Sequence, residues 1–334
     1  MFIVESYALA VVMCFITMLC WGSWANTQKL ASRAWPFQLF YWDYAVGVLL
    51  LMVVFAFTLG SNGSAGRGFF DDLSQAARPA MVSAFIGGVV FNIANILIVA
   101  AIDIAGMAVA FPVGIGLALV IGVIKNYVAT PVGNPVVLFT GVALIVLAII
   151  VNAVAYRRLP SDSGKTPITG IALSVVGGIL MGFFYRYVAA SMATNLIEPE
   201  AGLLTPYSAL VLFGVGLLAS NFVFNTFIMV RPFAGMPVPF GDYFTKGDLR
   251  LHIIGILGGI IWGIGMSFSI IASNSAGFAI SYGLGQGATM VGAFWGVFIW
   301  KEFKNASAGT GKLLAVMFAS FIVGLTLIIV SRIV

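Results

Sequence analysis

The segment Ala105-Gly106-Met107-Ala108-Val109-Ala110-Phe111-Pro112-Val113-Gly114-Ile115-Gly116 lies inside an apolar stretch and has a twin 171 residues further on. The twin reads Ala276-Gly277-Phe278-Ala279-Ile280-Ser281-Tyr282-Gly283-Leu284-Gly285-Gln286-Gly287, identical at five of twelve positions. The match extends without a gap over Ala84–Tyr127 and Gly255–Phe298, where Gly87-Gly88 falls on Gly258-Gly259 and Asp103 on Asn274. Ten of those 44 positions are identical. Such a chain is expected to fold as two copies of one unit. Both copies interrupt an apolar run with Gly or Pro at matching places, and helices weakened in this way are where membrane carriers build their solute sites.

The setting is a bilayer. Hydrophobic residues make up 61% of the 334 and charged ones 8%, against about a quarter charged in an average soluble domain. Ten apolar stretches are long enough to cross a hydrocarbon core of about 30 Å as helices. They run over 7–28, 41–59, 80–101, 104–124, 135–156, 168–190, 205–229, 251–272, 276–299 and 313–332. Turn-forming clusters separate them: Gly60-Ser61-Asn62-Gly63, Thr130-Pro131, Pro160-Ser161-Asp162 and Arg231-Pro232. The joints between the third and fourth and between the eighth and ninth are very short, so tight hairpins are expected there. Only Glu5 is charged ahead of the first stretch. It lacks the basic start and small-residue cleavage site of a secretory signal and is read as a retained span.

Short loops on one side collect Lys29, Arg33, Arg157, Arg158, Lys165, Arg231, Lys246, Arg250, Lys301, Lys304 and Lys312; the other side collects Arg67, Arg78, Lys125 and Arg332. Eleven against four places the first side in the cytoplasm and both termini outside. The basic residues sit at span ends, so the net charge of +5 is no footprint for nucleic acid. The expected fold is therefore an all-α polytopic membrane protein of ten transmembrane helices. Residues 1–158 form one five-helix repeat, 159–167 a short cytoplasmic linker and 168–334 the second repeat. An odd number of spans per copy inserts the second copy upside down, and two inverted copies can exchange shapes to open a shared cavity to each side in turn.

Several polar and aromatic residues could meet a solute in that cavity. Asn92 and Asn95 share a helix face near the middle of the third span. Two amides in lipid surroundings need partners; they either bind solute or join two helices. Trp21 and Trp24, in Trp21-Gly22-Ser23-Trp24, either stack on a ring or anchor the helix at the interface. In the second half the matching stretch Met181-Gly182-Phe183-Phe184-Tyr185-Arg186-Tyr187 carries Arg186, the most deeply placed cation, which snorkels outward or faces the cavity beside Tyr185. Ser281, Tyr282 and Gln286 lie in the second interrupted helix, and Pro112 and Gly283 are placed to free nearby carbonyls there. Asn221 and Asn225 share a face nearer the cytoplasmic end. The small residues Ala84, Gly88 and Asn92, with partners Gly255, Gly259 and Gly263, read as helix-packing faces.

Carboxylates are scarce within the spans. Asp43 is the candidate for carrying a coupling proton, against an alternative role at a helix start. Cys14 and Cys20 fall on one helix and cannot pair. The single histidine, His252, sits at a span start, and neither a His-Glu-x-x-His motif nor paired membrane aspartates occur, so an enzyme is not expected. No metal site or cofactor is expected either.

The chain resembles the drug/metabolite transporter superfamily. The nearest likeness is to plant ureide permeases and the related bacterial glucose/ribose-porter and rhamnose-transporter group. The residues that carry it are Val4-Glu5-Ser6, Gly22-Ser23-Trp24, Asp43-Tyr44, Phe85-Ile86-Gly87-Gly88, Asn95, Gly106 and Asn126-Tyr127. In the second half they are Ala276-Gly277-Phe278-Ala279, Gln286, Phe294-Trp295-Gly296 and Lys301-Glu302-Phe303. The resemblance implies a secondary carrier of small uncharged polar solutes, often proton-coupled, in a bacterial inner membrane. The long central loop of the plant members is missing, and Asn26-Thr27-Gln28-Lys29 replaces an apolar stretch. On those departures a sugar is expected first and a ureide or nucleobase second. Export of cationic drugs is the third reading, disfavoured by Arg186.

Overall fold

A computed structural model describes residues 1–31, 35–63, 65–159 and 168–334 of the chain. Arg33, Lys165, the turn at Pro160-Ser161-Asp162 and most of the expected linker lie outside the described residues. In chain order the helices are α1 (Tyr7–Ser23), α2 (Ala25–Ala31), α3 (Phe37–Phe57), α4 (Phe69–Gln75), α5 (Arg78–Ala105), α6 (Met107–Ala110), α7 (Gly116–Ala129) and α8 (Pro135–Tyr156). They continue as α9 (Ile168–Ser191), α10 (Pro206–Val230), α11 (Asp242–Thr245), α12 (Leu249–Ala276), α13 (Phe278–Gly285), α14 (Ala288–Phe294) and α15 (Thr310–Val330). Five-residue π turns, Phe111–Ile115 and Trp295–Ile299, precede α7 and follow α14.

Local chemistry sets the ends. Ser6, Asn134 and Asp248 cap α1, α8 and α12 by accepting backbone N–H groups of the first turn. Proline in the first turn of α5, α8 and α10 sits where its missing N–H costs nothing. α5 and α12 are both 28 residues long and start 171 residues apart. Each stops at a glycine with positive φ, Gly106 at 75° and Gly277 at 86°. That region suits glycine, which lacks a Cβ, and it makes the two tight joints the sequence predicts.

Among the described residues nine helices are long and apolar enough to cross a bilayer. The expected ninth span, 276–299, is a correction: it is a chain of α13, α14 and a π turn rather than one helix. The break falls at Gln286-Gly287, whereas Gly283 lies inside α13. Gly283, Gly285 and Gly287 at alternate positions remove side chains that would stiffen the helix, each costing about 1 kcal/mol of helix propensity. The expected fourth span, 104–124, is also shifted. It begins in the π turn around Pro112 and runs on to Ala129, because Pro112 has no N–H to donate within the preceding turn.

The bundle is assembled reciprocally. α5 packs against α9 and α10, and α12 packs against α1 and α3. At the crossing of α5 and α10, a methyl on Gly88 would stand 2.0 Å from the Phe213 carbonyl, and one on Gly216 2.1 Å from that of Phe85. At the crossing of α12 and α3, a methyl on Gly259 would run into the Tyr44 carbonyl, and one on Gly47 into that of Ile256. α8 and α15 meet each other through Gly141 and Gly324, each lying against the other's carbonyl. Both termini lie on one face, where Tyr7 Oη donates to Ile329 O and the Met1 amine to Ala65 O, both at 2.7 Å. The opposite face carries Lys29, Arg158, Lys246 and Lys301 and is called the basic face below. There Lys29 pairs with Glu302 at 2.7 Å, and the indoles of Trp295 and Trp300 donate to Ser23 and Asn26.

These crossings leave no room for a Cβ. Gly88→Ala and Gly259→Ala should each cost about 3 kcal/mol and lower the melting temperature of the purified protein by roughly 5 °C or more. Gly311→Ala, with nothing within 4 Å, should leave it unchanged or raise it slightly. Equal melting temperatures in all three variants would refute the crossing geometry.

Candidate solute site

The reciprocal crossings gather aromatic side chains at the middle of the bundle. Phe91 of α5 and Trp262 of α12 are 171 residues apart, so they are twins in the repeat register. Their ring centroids lie 4.3 Å from each other. Trp262 stacks on Trp21 of α1 at 5.9 Å and 11° and on Phe213 of α10 at 6.0 Å and 16°. Tyr44 of α3 stands 6.3 Å from Trp262, 4.9 Å from Trp24 and 5.1 Å from Tyr41. Phe184 of α9 closes the group against Phe91 at 5.2 Å. Of these contacts, the one between Tyr44 and Trp262 spans the α3–α12 crossing.

Polar atoms border the cluster. Asn95 Nδ2 donates to Tyr41 Oη at 3.1 Å, and Asn92 Nδ2 to Ser220 Oγ at 2.9 Å. Asn92 Oδ1, Tyr44 Oη, Trp21 Nε1 and both amide atoms of Asn221 are buried with no hydrogen-bond partner among the described residues. A buried polar group left so costs about 1–3 kcal/mol; ten described side chains of the bundle carry such an atom, Asn126, Asn152 and Ser267 among them, and those of Trp21 and Tyr44 belong to the aromatic cluster itself. Gln286 sits at the break between α13 and α14 beside Gly285, which packs on the Trp21 ring. Its side chain is buried and makes no hydrogen bond among the described residues. Pro112 is half-buried in its π turn, next to the Gly114 carbonyl that receives Gly178 of α9.

The hydroxyls of other expected site residues are hydrogen-bonded within the bundle. Tyr185, Ser269 and Ser281 form a closed hydroxyl group: Tyr185 Oη lies 3.0 Å from Ser269 Oγ, and Ser281 Oγ donates to Ser269 O at 2.7 Å. Cys14 reaches Ser281 at 3.5 Å. Tyr282 Oη donates to the carbonyls of Ala118 and Met181, both at 3.1 Å. These hydroxyls tie α13 to α7, α9 and α12. Arg186 is only partly buried and makes no hydrogen bond or ion pair among the described residues. Asn225 donates to Gln38 O at 2.8 Å, a helix-to-helix tie between α10 and α3.

Asp43 lies toward the basic face and is buried. His252 Nδ1 stands 3.0 Å from both of its oxygens, and Tyr243 Oη donates to Oδ1. Burial, followed by the neighbouring Asp43 carboxylate, pushes the Tyr243 phenol well above its ordinary range, so it remains a donor. Asp43 is thus held by side chains from two other elements, and a role as a helix-start residue does not fit it: α3 begins six residues earlier, at Phe37. The residues that sequence reasoning missed are Phe91, Trp262, Tyr41, Tyr44 and Tyr243. The repeat register already placed Phe91 on Trp262 and could have found that pair; the contact of Tyr243 with Asp43, 200 residues away, had no local signal.

The site and fold define a polytopic helical membrane protein with an aromatic and amide centre. The family model for ureide permeases matches residues 40–166 and 153–331, and the chain belongs to the ureide permease family. Ureide permease 1 of Arabidopsis thaliana is 23% identical over 390 aligned positions, covering 99% of each chain. Ureide permease 2 of the same plant is also 23% identical, with 99% of both chains covered. Probable ureide permease A3 of Vigna unguiculata is 22% identical over 92% of this chain and 99% of its own. The first alignment is longer than the 334 residues here, so that plant protein carries stretches that this chain lacks. One solved crystal structure shares the fold, with a TM-score of 0.61 at 14% identity over 98% of this chain and 100% of its own.

Two kinds of residue should separate in mutagenesis. Tyr282→Phe strips a donor from two carbonyls and should lower stability by about 1 kcal/mol. Asn95→Ala leaves the buried Tyr41 hydroxyl without its partner and should cost about 1–3 kcal/mol, whereas Gln286→Ala should leave the melting temperature within a degree or two, because the Gln286 side chain ties nothing. A large stability loss in Gln286→Ala would show that it is a packing residue.

Proposed function

We propose that this protein is a secondary transporter that moves a small neutral, nitrogen-rich solute of the ureide class across the bacterial inner membrane by alternating access. The observation that carries the proposal is the central cluster, in which Trp21, Trp262, Phe91 and Tyr44 surround buried polar atoms without partners. A ureide is flat where its amide groups conjugate, and it presents N–H donors beside C=O acceptors. Carboxamides such as Asn92, Asn95, Asn221 and Gln286 offer the complementary pair on adjacent atoms, and indole or phenyl faces fit the flat part. The relatives' names support a ureide ahead of the sugar expected from the sequence, which becomes the second reading. Tryptophan faces stack on sugars too, and carboxamides bond hydroxyls as well as amides, so it is the relatives' names that set the order of the two readings.

In this reading the two halves, 1–158 and 168–334, are inverted five-helix repeats, and the discontinuous stretch 278–299 is the tenth crossing. The reciprocal glycine crossings and the equal lengths of α5 and α12 support it. The basic face is cytoplasmic by the charge bias of short loops, with both termini outside. Asp43 is the candidate for the coupling proton, since a buried carboxylate at a helix crossing is a common proton carrier.

The test is uptake into proteoliposomes with a labelled ureide, a labelled sugar, a nucleobase and a cationic dye. Ureide uptake should be the fastest, should be driven by an imposed pH step, and should fall at least about tenfold in Trp262→Ala or in the double variant Asn92→Ala, Asn95→Ala. Saturating ureide should raise the melting temperature, as a ligand at 100 times its Kd stabilises the folded form by about 2.7 kcal/mol. Uptake of sugar without ureide would reverse the order of the two readings. Ureide uptake indifferent to pH and to Asp43→Asn would make the protein a passive carrier.

A further inference from the structure

Two short helices close opposite ends of the bundle, and the repeat relates them. α4 belongs to the segment 58–77 on the termini face, and α11 to the segment 231–248 on the basic face. Asp72 of α4 and Tyr243 of α11 are 171 residues apart, the interval of the repeat itself. Each helix fastens its own half to the other. On the termini face Asp72 Oδ2 accepts from Thr205 N at 2.7 Å and from Thr205 Oγ1 at 3.0 Å, and Oδ1 accepts from Arg67 Nε at 3.0 Å. Arg67 also donates to the carbonyls of Pro199, Glu200 and Leu203. On the basic face Tyr243 donates to Asp43, which His252 also holds. The Trp35 ring lies edge-on to the imidazole at 5.2 Å and the Tyr243 ring at 4.7 Å.

The two fasteners occupy matching places but differ in chemistry. Arginine and a carboxylate keep their charges across the physiological range. A histidine changes charge within it, and His252 is the chain's one histidine. We propose that Asp43, His252 and Tyr243 form a proton-operated latch on the basic face, which holds when His252 carries its second proton and releases when that proton leaves. The assignment rests on the carrier reading in one respect, that this face must open and close.

The sign follows from the geometry. Nδ1 faces both Asp43 oxygens and donates to them in the imidazolium. The second proton sits on Nε2, the nitrogen turned to Gly247, where an added methyl would lie 2.4 Å away. With that proton the Asp43–His252 pair is neutral and joined by a charge-assisted bond. Without it a net negative charge is left, with Asp43 only 3% exposed, which favours letting water in. His252 itself is 26% exposed on the basic face, so it senses the water there. The closed form therefore binds one more proton than the open form, and acid favours closure. Asp43 from α3 and Tyr243 from α11 are the titratable groups facing the imidazole among the described residues. Asp248 caps the first turn of α12 through Leu251 N, Arg250 is exposed, and Asp242 and Lys246 pair with each other.

Hydrogen exchange of the full protein in lipid nanodiscs, corrected for the intrinsic effect of pH, reads the latch directly. Protection of 231–248 should fall about fivefold or more between about pH 6 and about pH 8, while that of 58–77 stays constant. Its midpoint should coincide with the titration of the single histidine followed by NMR. His252→Gln should abolish the pH dependence. Tyr243→Phe, which keeps the Asp43–His252 pair, should lower protection at both pH values and keep the midpoint. Protection of 231–248 that is flat with pH in the wild type, or still pH-dependent in His252→Gln, would overturn the latch. None of these readings needs a substrate, so a failure to transport ureides would count against the carrier reading alone.

Discussion

The close approach of α3 to α12 and of α10 to α5 is the contact on which the rest of this molecule depends. In each pair two glycines lie against carbonyl groups of the facing helix, Gly47 with Gly259 and Gly216 with Gly88. In a bilayer the hydrophobic effect does little to bring helices together, because lipid tails are as apolar as leucine. Dispersion between close backbones takes its place. Small residues let the helix axes come near enough for such contacts to add up along a whole span. The two crossings also join early and late parts of the chain, α3 to α12 and α5 to α10.

These crossings determine what lies at the centre. One turn beyond Gly88 and Gly259 on the same helices stand Phe91 and Trp262, close enough to touch. The neighbouring turns carry Asn92 and Asn95 on α5 and Tyr41 and Tyr44 on α3. Amides and phenols here would be costly in contact with lipid, but the crossings have already covered them with protein. A polar centre is thus compatible with a bundle whose exterior is apolar, and the partnerless atoms of Asn92, Asn221, Tyr44 and Trp21 are confined to its interior.

Much of this was legible in the sequence. The apolar stretches predicted the helices, and the short gaps after the third and eighth stretches predicted the tight joints, which fall at Gly106 and Gly277; the two helices that end there run to 28 residues, longer than the 80–101 and 251–272 expected. Gly88 and Gly259 read as packing residues and are so. Asn92, Asn95 and Gln286 were chosen as polar residues at mid-span, and all three lie buried in the bundle. What the sequence did not show has a common cause. Tyr185, Ser281 and Tyr282 look like solute ligands by type, yet their hydroxyls bond backbone carbonyls and each other, which only three-dimensional neighbours reveal. Hydropathy gave 276–299 the look of a single span because it averages over the glycines that break it. The contact of Asp43 with His252, 209 residues away, follows from the α3–α12 crossing and has no local mark at all.

The repeat is most informative where its two copies disagree. Gly88 and Gly259, or Gly106 and Gly277, are held alike because both halves must bend and pack alike. Asn92 faces Gly263 in the register, Asn95 faces Met266, Ile115 faces Gln286, and Asp72 faces Tyr243. Each of these pairs sets a polar or differently polar residue against a partner that cannot do the same chemistry. A duplicated bundle that had only to exchange shapes would have no need of such differences. A bundle that also had to recognise one unsymmetrical solute, and to answer to conditions on one side of a membrane, would need them at the centre and at the two ends. The four pairs named here lie in the third and eighth spans, in the interrupted helices and in the two short end helices.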